Sequence, residues 1–249
     1  MRVEDQLFGA VELDPYLIDV ARREESHRFL GRATQGCYSR QVRLLASLFA
    51  VQGRDPGAIR VLDWGTGKGH ISYLLRKAGF DVTSCDLQST ASDSTFGQRT
   101  PIIEEQAVRV VPLQDDRVLP FADASFDLVV SFGVLEHVRD DRGSLREIRR
   151  ILKPGGRFFF TFLPYWLSWT QHVAHLRGDW YHSVLYRASG VRRMATDAGF
   201  RVDGIWHGQL FPKNSVPHSN ALERLDRFLT TYTPFKYFAT NLEGMLIAD

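Results

Sequence analysis

The chain has 249 residues, 44% of them hydrophobic and 24% charged, with a formal net charge of +2 at neutral pH. That is enough apolar material for one domain with a sizeable core, and the scattered arginines form no basic stripe of the kind a nucleic-acid partner requires. The most apolar run, "FFFTFLPYWLSW" at 158–169, is far shorter than the roughly 20 residues of a membrane span, and "MRVEDQLFGA" lacks the apolar core of an export signal. Cys37 and Cys85 have neither disulfide-framework nor metal-pair spacing, which fits a reducing cytoplasm.

In chain order, Tyr38, Val42, Leu45 and Phe49 mark an amphipathic helix within a lead-in at 1–57. "IRVLDW" (59–64) then reads as a buried strand, and Gly65, Gly67 and Gly69 follow on alternate positions directly before the helical run "HISYLLRKAG". Glycines in such a turn let a ligand approach the backbone where a Cβ would collide, next to the free N–H groups of a helix start. Their spacing differs from the G-x-G-x-x-G that seats a pyrophosphate. "DVTSCDL" (81–87) is the next strand, and Asp86 near its end is suited to gripping ribose hydroxyls. Loop and acid together suggest a ribose without a diphosphate.

"VRVVPL" (108–113) and "FDLVVSF" (126–132) are further strands. "DDRGSLREIRRILKPGG" (140–156) carries Leu145, Ile148, Ile151 and Leu152 on one helical face, with Pro154, Gly155 and Gly156 as its stop, and "GRFFFTFL" (156–163) is the fifth strand. Repeated βα units of this kind build a doubly wound α/β sheet that binds its ligand at the carboxyl ends of the strands. The segment 164–186, dense in aromatics and histidine, is either a substrate lid or a hydrophobic helix packed on the domain. A helix near 187–198, a strand "RVDGIWHG", a helix "ALERLDRFL" and a strand "LEGMLIA" complete the pattern.

Taken in order, "VLDWGTGKGH" (61–70), "CDL" (85–87), "LQDDRVLPFADASFDLVVSFGVLEHV" (113–138) and "LREIRRILKPGGRFFF" (145–160) resemble the successive motifs of class I S-adenosylmethionine-dependent methyltransferases. The branch they resemble is that of the ubiquinone/menaquinone-biosynthesis methyltransferases, and "REESHRFLGR" (23–32) is similar to the lead-in of some bacterial members. The resemblance implies a single Rossmann-like domain with a cofactor-binding core at 58–163 and the remainder of the sheet at 187–249. It implies seven strands, mostly parallel, the last antiparallel and inserted beside the sixth. The implied cofactor is S-adenosylmethionine, held by Asp63, Trp64, Gly65, Gly67, Gly69, Asp86, Leu87, Asp115, Asp116 and Phe132. In that scheme Asp63 orients the loop or the methionine amine, unless it only caps its own turn. Asp86 takes the ribose. Asp115 takes the adenine amino group while Asp116 offers its N–H, and Phe132 ends the strand that approaches the methionine part.

The implied reaction moves a methyl group to oxygen or carbon of a small organic acceptor: a metabolite, a lipid precursor or a saccharide. In-line displacement needs positioning first and a base only where the acceptor is a hydroxyl. His137 in "VLEHV" is the first candidate for that base, and His182 beside Tyr181 the second. His172 and His175 lie one helical turn apart and could join His182 on a metal, but no clear set of further ligands accompanies them and no metal is expected. The competing readings are a nicotinamide-dependent dehydrogenase, disfavoured by the glycine spacing, and a non-catalytic S-adenosylmethionine-binding regulator or partner subunit.

Overall fold

The structure is a computed structural model that describes residues 12–87, 100–182, 184–212 and 219–249. Its seven strands run in the order 3-2-1-4-5-7-6. The chain divides into two compact units, one of residues 1–112 and 213–225, the other of residues 113–212 and 226–249. Among the described residues no helix is long and apolar enough to cross a membrane.

In the first unit, helix α1 (Pro15–Arg23) starts on Asp14, whose carboxylate accepts the N–H groups of Tyr16 at 2.9 Å and Leu17 at 3.2 Å. That cap satisfies donors a helix start leaves free. The same carboxylate pairs with Lys77 and accepts from the Tyr73 hydroxyl at 3.1 Å, tying α1 to α3 (His70–Lys77). Helix α2 (Arg32–Val51) buries Tyr38, Val42, Leu45 and Phe49, the face its periodicity marks. On α2 the buried Arg40 forms an ion pair with Glu223 of α8 (Asn220–Tyr232). Strands β1 (Arg60–Trp64) and β2 (Asp81–Leu87) are parallel, with Asp63 opposite Ser84 and Trp64 opposite Cys85. A short helix α4 (Pro101–Glu105), capped by Thr100, precedes β3 (Val110–Leu113). Neither α1 nor α4 has enough apolar repeats to stand out in the sequence.

The second unit holds β4 (Phe126–Phe132), β5 (Leu152–Pro164), β6 (Phe200–Gly208) and β7 (Asn241–Ala248). β4 and β5 are parallel, and β7 pairs antiparallel with both β5 and β6. This is the inserted last strand that the methyltransferase resemblance implies. Phe158, Phe159 and Phe160 are consecutive and all buried, so both faces of β5 are covered. Helix α5 (Asp141–Ile151) is capped by Asp140 and ends where β5 begins. The Lys153–Gly156 stretch that stops the helix is thereby already strand. Helices α6 (Trp169–Leu176) and α7 (Ala188–Asp197) follow β5. On β7, Glu243 is fully buried, receives the Trp206 indole N–H at 2.8 Å and faces Arg227 at 3.5 Å. A buried carboxylate persists only with such partners.

Candidate functional site

The chemistry of the first unit is concentrated where β1 turns into α3. Gly65, Gly67 and Gly69 all have positive φ, at 74°, 52° and 82°. Residues with a Cβ pay for this left-handed backbone, which is the local reason for the three glycines. At Gly69, the residue before α3, a Cβ would also lie 2.7 Å from Cγ1 of Ile103. The turn is pinned to β2 because the N–H groups of Gly65 and Thr66 both donate to the Cys85 carbonyl, at 2.9 and 3.0 Å.

Asp63 anchors the turn from beneath. Its carboxylate is 1% exposed and accepts the hydroxyls of Thr66 at 2.8 Å and Ser72 at 2.6 Å, and Ser84 extends the chain with its hydroxyl 2.6 Å from that of Ser72. Burial pushes the carboxyl up to about 6, against the pull of the Ser72 and Thr66 hydroxyls, and the nearby Asp86 charge adds to the rise. Asp86, at the end of β2, accepts the Gly67 N–H at 2.6 Å on one oxygen and the Leu87 N–H at 2.7 Å on the other. Its carboxyl is also raised by burial, and these two N–H groups oppose the shift. Each oxygen keeps a second lone pair. Trp64 is buried beneath the turn, whereas Leu87 is exposed.

The second unit carries the remaining residues. Asp115 is bound by its near neighbour Arg117, whose Nε and Nη2 lie 3.0 and 2.6 Å from its two oxygens, while the Arg117 N–H donates to it at 2.8 Å. This guanidinium holds the Asp115 carboxyl well below the usual carboxylate range. Asp116 is buried, and its side chain accepts the Arg139 N–H at 2.9 Å. Phe132 packs against Phe159 and Phe162, with ring centres 5.8 and 6.1 Å away. Next to it, the Ser131 hydroxyl is buried with no hydrogen-bond partner among the described residues.

After β4 the chain turns at Glu136 and His137. Glu136 has a 3% exposed side chain, and His137, 39% exposed, lies 3.9 Å from its carboxylate. Partial burial lowers the His137 ring below the ordinary histidine value. Tyr181 and His182 stand against His137, with ring centres 5.2 and 5.6 Å away. They reach it because the segment after β5 closes on itself: the N–H of Trp166 donates to the Tyr186 carbonyl at 3.0 Å, and that of Tyr186 to the Pro164 carbonyl at 2.8 Å. Arg187 lies 3.8 Å above the Trp166 ring at this neck. His172 and His175 do not join the group. Nε2 of His172 faces the Trp166 carbonyl and Nε2 of His175 the His182 carbonyl, at 3.0 and 2.9 Å.

Sequence reasoning overlooked Ser72, Ser84, Arg117, Glu136 and Gln171. The first two had a signal, since each is a small polar residue at a position an apolar pattern would otherwise fill.

The sheet order, the inserted antiparallel β7 and the glycine turn facing an acid on β2 define a nucleotide-binding α/β fold of the methyltransferase type. The chain belongs to the methyltransferase-domain family: the family model described as "Methyltransferase domain" matches residues 34–204. A ubiquinone biosynthesis O-methyltransferase of Idiomarina loihiensis is 30% identical over 167 residues, 61% of this chain and 65% of that protein. A malonyl-[acyl-carrier protein] O-methyltransferase of Pseudescherichia vulneris is 32% identical over 181 residues, 72% of this chain and 67% of that one. The matched stretch thus spans about two thirds of the length of these curated relatives. Among solved structures, a SAM-dependent methyltransferase of Archaeoglobus fulgidus shares the fold, with a TM-score of 0.57 at 18% identity over 94% of this chain and 99% of that one.

Proposed function

We propose that this chain transfers a methyl group from S-adenosylmethionine to an oxygen of a small organic acceptor. The observation that carries the reading is the turn between β1 and α3, where three positive-φ glycines face the Asp86 carboxylate across the Gly67 N–H. The residues present fit the cofactor. The turn offers backbone without side chains, and the spare lone pairs of Asp86 match the two hydroxyls of a ribose. Asp63, spent on Thr66 and Ser72, serves as the residue that orients the loop, and Leu87 supplies an exposed apolar surface beside the ribose site. Asp115 and Asp116 are the candidates for the adenine, and Phe132 for the methionine part.

The bound cofactor supplies an electrophilic methyl group on a sulfonium. Held by the glycine turn and Asp86, it would allow in-line transfer of that methyl group to the acceptor oxygen, whose proton, where it is a hydroxyl, would pass to a nearby base or to solvent, with S-adenosylhomocysteine left behind. Positioning of the two reactants supplies most of the acceleration. His137 and, carried by the segment 164–186 acting as a lid, His182 are the polar groups we assign to the acceptor's oxygen. The O-methyltransferase names of the relatives favour oxygen over carbon. A metabolite, lipid precursor or saccharide hydroxyl or carboxyl is the acceptor class. Two free, buried cysteines support a cytoplasmic setting.

The test is calorimetry with S-adenosylhomocysteine and NAD, followed by transfer of a labelled methyl group to a panel of phenols, sugars and carboxylic acids. Binding of the former nucleoside alone, with label in an acceptor, is expected. Binding of NAD alone would return the dehydrogenase reading. Binding of S-adenosylhomocysteine with no transfer to any acceptor would point to a regulator.

A further inference from the structure

Helix α6 grips His182 at two points. Gln171 and His175 stand one turn apart on the same face of that helix. The Gln171 amide Nε2 lies 3.1 Å from Nδ1 of the His182 ring, and Nε2 of His175 donates to the His182 carbonyl at 2.9 Å. Both grips are themselves held. The Gln171 backbone N–H donates at 3.3 Å to Oγ of Ser168, the buried cap of α6, and the His175 ring is stacked on Trp180 with centres 4.2 Å apart. Tyr181 packs edge-on against the His182 ring, with centres 4.8 Å apart.

The contact from Gln171 runs in one direction only. A carboxamide nitrogen has N–H bonds to give and no lone pair to offer, so the Nδ1 it meets accepts. A neutral imidazole carries a single N–H, and with Nδ1 accepting, that proton is on Nε2. One ring nitrogen of His182 lies within 4.8 Å of a ring nitrogen of His137 and of a Glu136 carboxylate oxygen, and the two rings are 5.6 Å apart. The two histidines beside the turn after β4 are thus not equivalent bases.

We propose that Gln171 is a positioning residue: it holds His182 in the Nε2–H form, so that His182 donates a hydrogen bond to the oxygen of the methyl acceptor and leaves proton removal to His137. A donor on one lone pair of that oxygen directs the other towards the methyl group, which is orientation rather than base catalysis. The role towards the acceptor, though not the tautomer, rests on the methyl-transfer reading.

The first test is long-range proton–nitrogen NMR of protein labelled with ¹⁵N-histidine, at about pH 9, where the ring is neutral. The signals lost in His182→Gln are those of His182. A bare Nδ1 and a protonated Nε2 are expected in the wild type. Gln171→Glu replaces the donor by an acceptor and should move the proton to Nδ1, and Gln171→Lys restores a donor and should return it to Nε2. Thermal unfolding shows whether each variant is folded, and Gln171→Leu, expected to show both forms in exchange, substitutes for one that is not. A proton on Nδ1 in the wild type, or a His182 pattern that the Glu or Leu variant leaves unchanged, overturns the positioning role. The second test is labelled methyl transfer to the panel of phenols, sugars and carboxylic acids at the same pH. Gln171→Glu should raise KM for the acceptor about 10-fold, with Gln171→Lys close to wild type and the affinity for S-adenosylhomocysteine unmoved in both. An equal KM in wild type and Gln171→Glu overturns the role towards the acceptor. No methyl donor or acceptor enters the NMR experiment, so its failure leaves the methyl-transfer reading standing. Absence of transfer by the wild type fells that reading, and the role towards the acceptor with it, while the tautomer result stands.

Discussion

Replacement of Asp63 by Asn tests the anchor of the glycine turn through its proton. The carboxyl titrates near 6 in the folded protein and near 3.8 in the unfolded reference. Between those values the folded state binds the extra proton, so stability rises as pH falls, is fully gained below the unfolded value and is lost as pH climbs through about 6. The full span corresponds to about 3 kcal/mol, and the share gained between about pH 7.5 and about pH 4.5 is about 2 kcal/mol. Asparagine keeps the shape and one acceptor for the Thr66 and Ser72 hydroxyls, which turn to suit it, but has no proton to exchange. Urea unfolding of both proteins at the two pH values isolates the effect, because every other titrating group is common to them. The gap between wild type and Asp63→Asn should shift by about 2 kcal/mol in favour of wild type at the lower pH. Parallel changes in the two proteins would refute the claim that a buried, high-titrating carboxyl holds the turn.

Asp86→Asn keeps an acceptor for the Gly67 N–H yet loses the charge, and should weaken S-adenosylhomocysteine by about 2 kcal/mol in calorimetry with little change in unfolding temperature; an unchanged affinity removes Asp86 from the ribose. Gly69→Ala combines an unfavourable φ of 82° with the 2.7 Å approach to Ile103 and should cost about 2 kcal/mol or more. Adding Ile103→Ala to that variant should relieve its collision but not its backbone strain, a partial recovery that a urea double-mutant cycle measures. Arg117→Ala should let the Asp115 carboxyl climb back towards its ordinary value, visible in an NMR titration, with the unfolding midpoint almost unmoved because the pair is exposed.

The parts of the fold legible in the sequence are those with a repeating signal. Strands β1, β2, β4 and β5 are apolar runs between turn residues, and α2, α3 and α5 carry their apolar faces at helical spacing. The glycine turn was legible for a different reason, since three alternate glycines have few uses other than positive φ. What escaped is short or tertiary. Helix α4 has five residues, too few for a period. Strand β5 starts at Leu152 and runs through the Pro154-Gly155-Gly156 stretch that local rules assign to a helix stop, because pairing with β4, where Leu152 lies opposite Phe126, overrides them.

The polar groups divide along the same line. Spacing on α6 puts His172 and His175 on one face, and a reader of spacing alone pairs them; both rings are instead turned to backbone carbonyls of their own segment. Spacing fixes which side of a helix a residue occupies, while its partner is fixed by what the chain folds against that side. His182 meets His137 only because Pro164 and Trp166 bond to Tyr186 and close the neck of the segment. Asp115 shows the converse: its Arg117 partner is two residues away, as local as a contact can be, and still silent in a pattern, because turn pairs have no period. A candidate acid or histidine read from a motif is therefore a statement about position, and the chemistry follows only once the partner is known. For Asp63 that partner set is Thr66 and Ser72, which makes it an anchor of the loop. For His137 it is Glu136 and His182, a carboxylate and a second imidazole brought to the turn after β4.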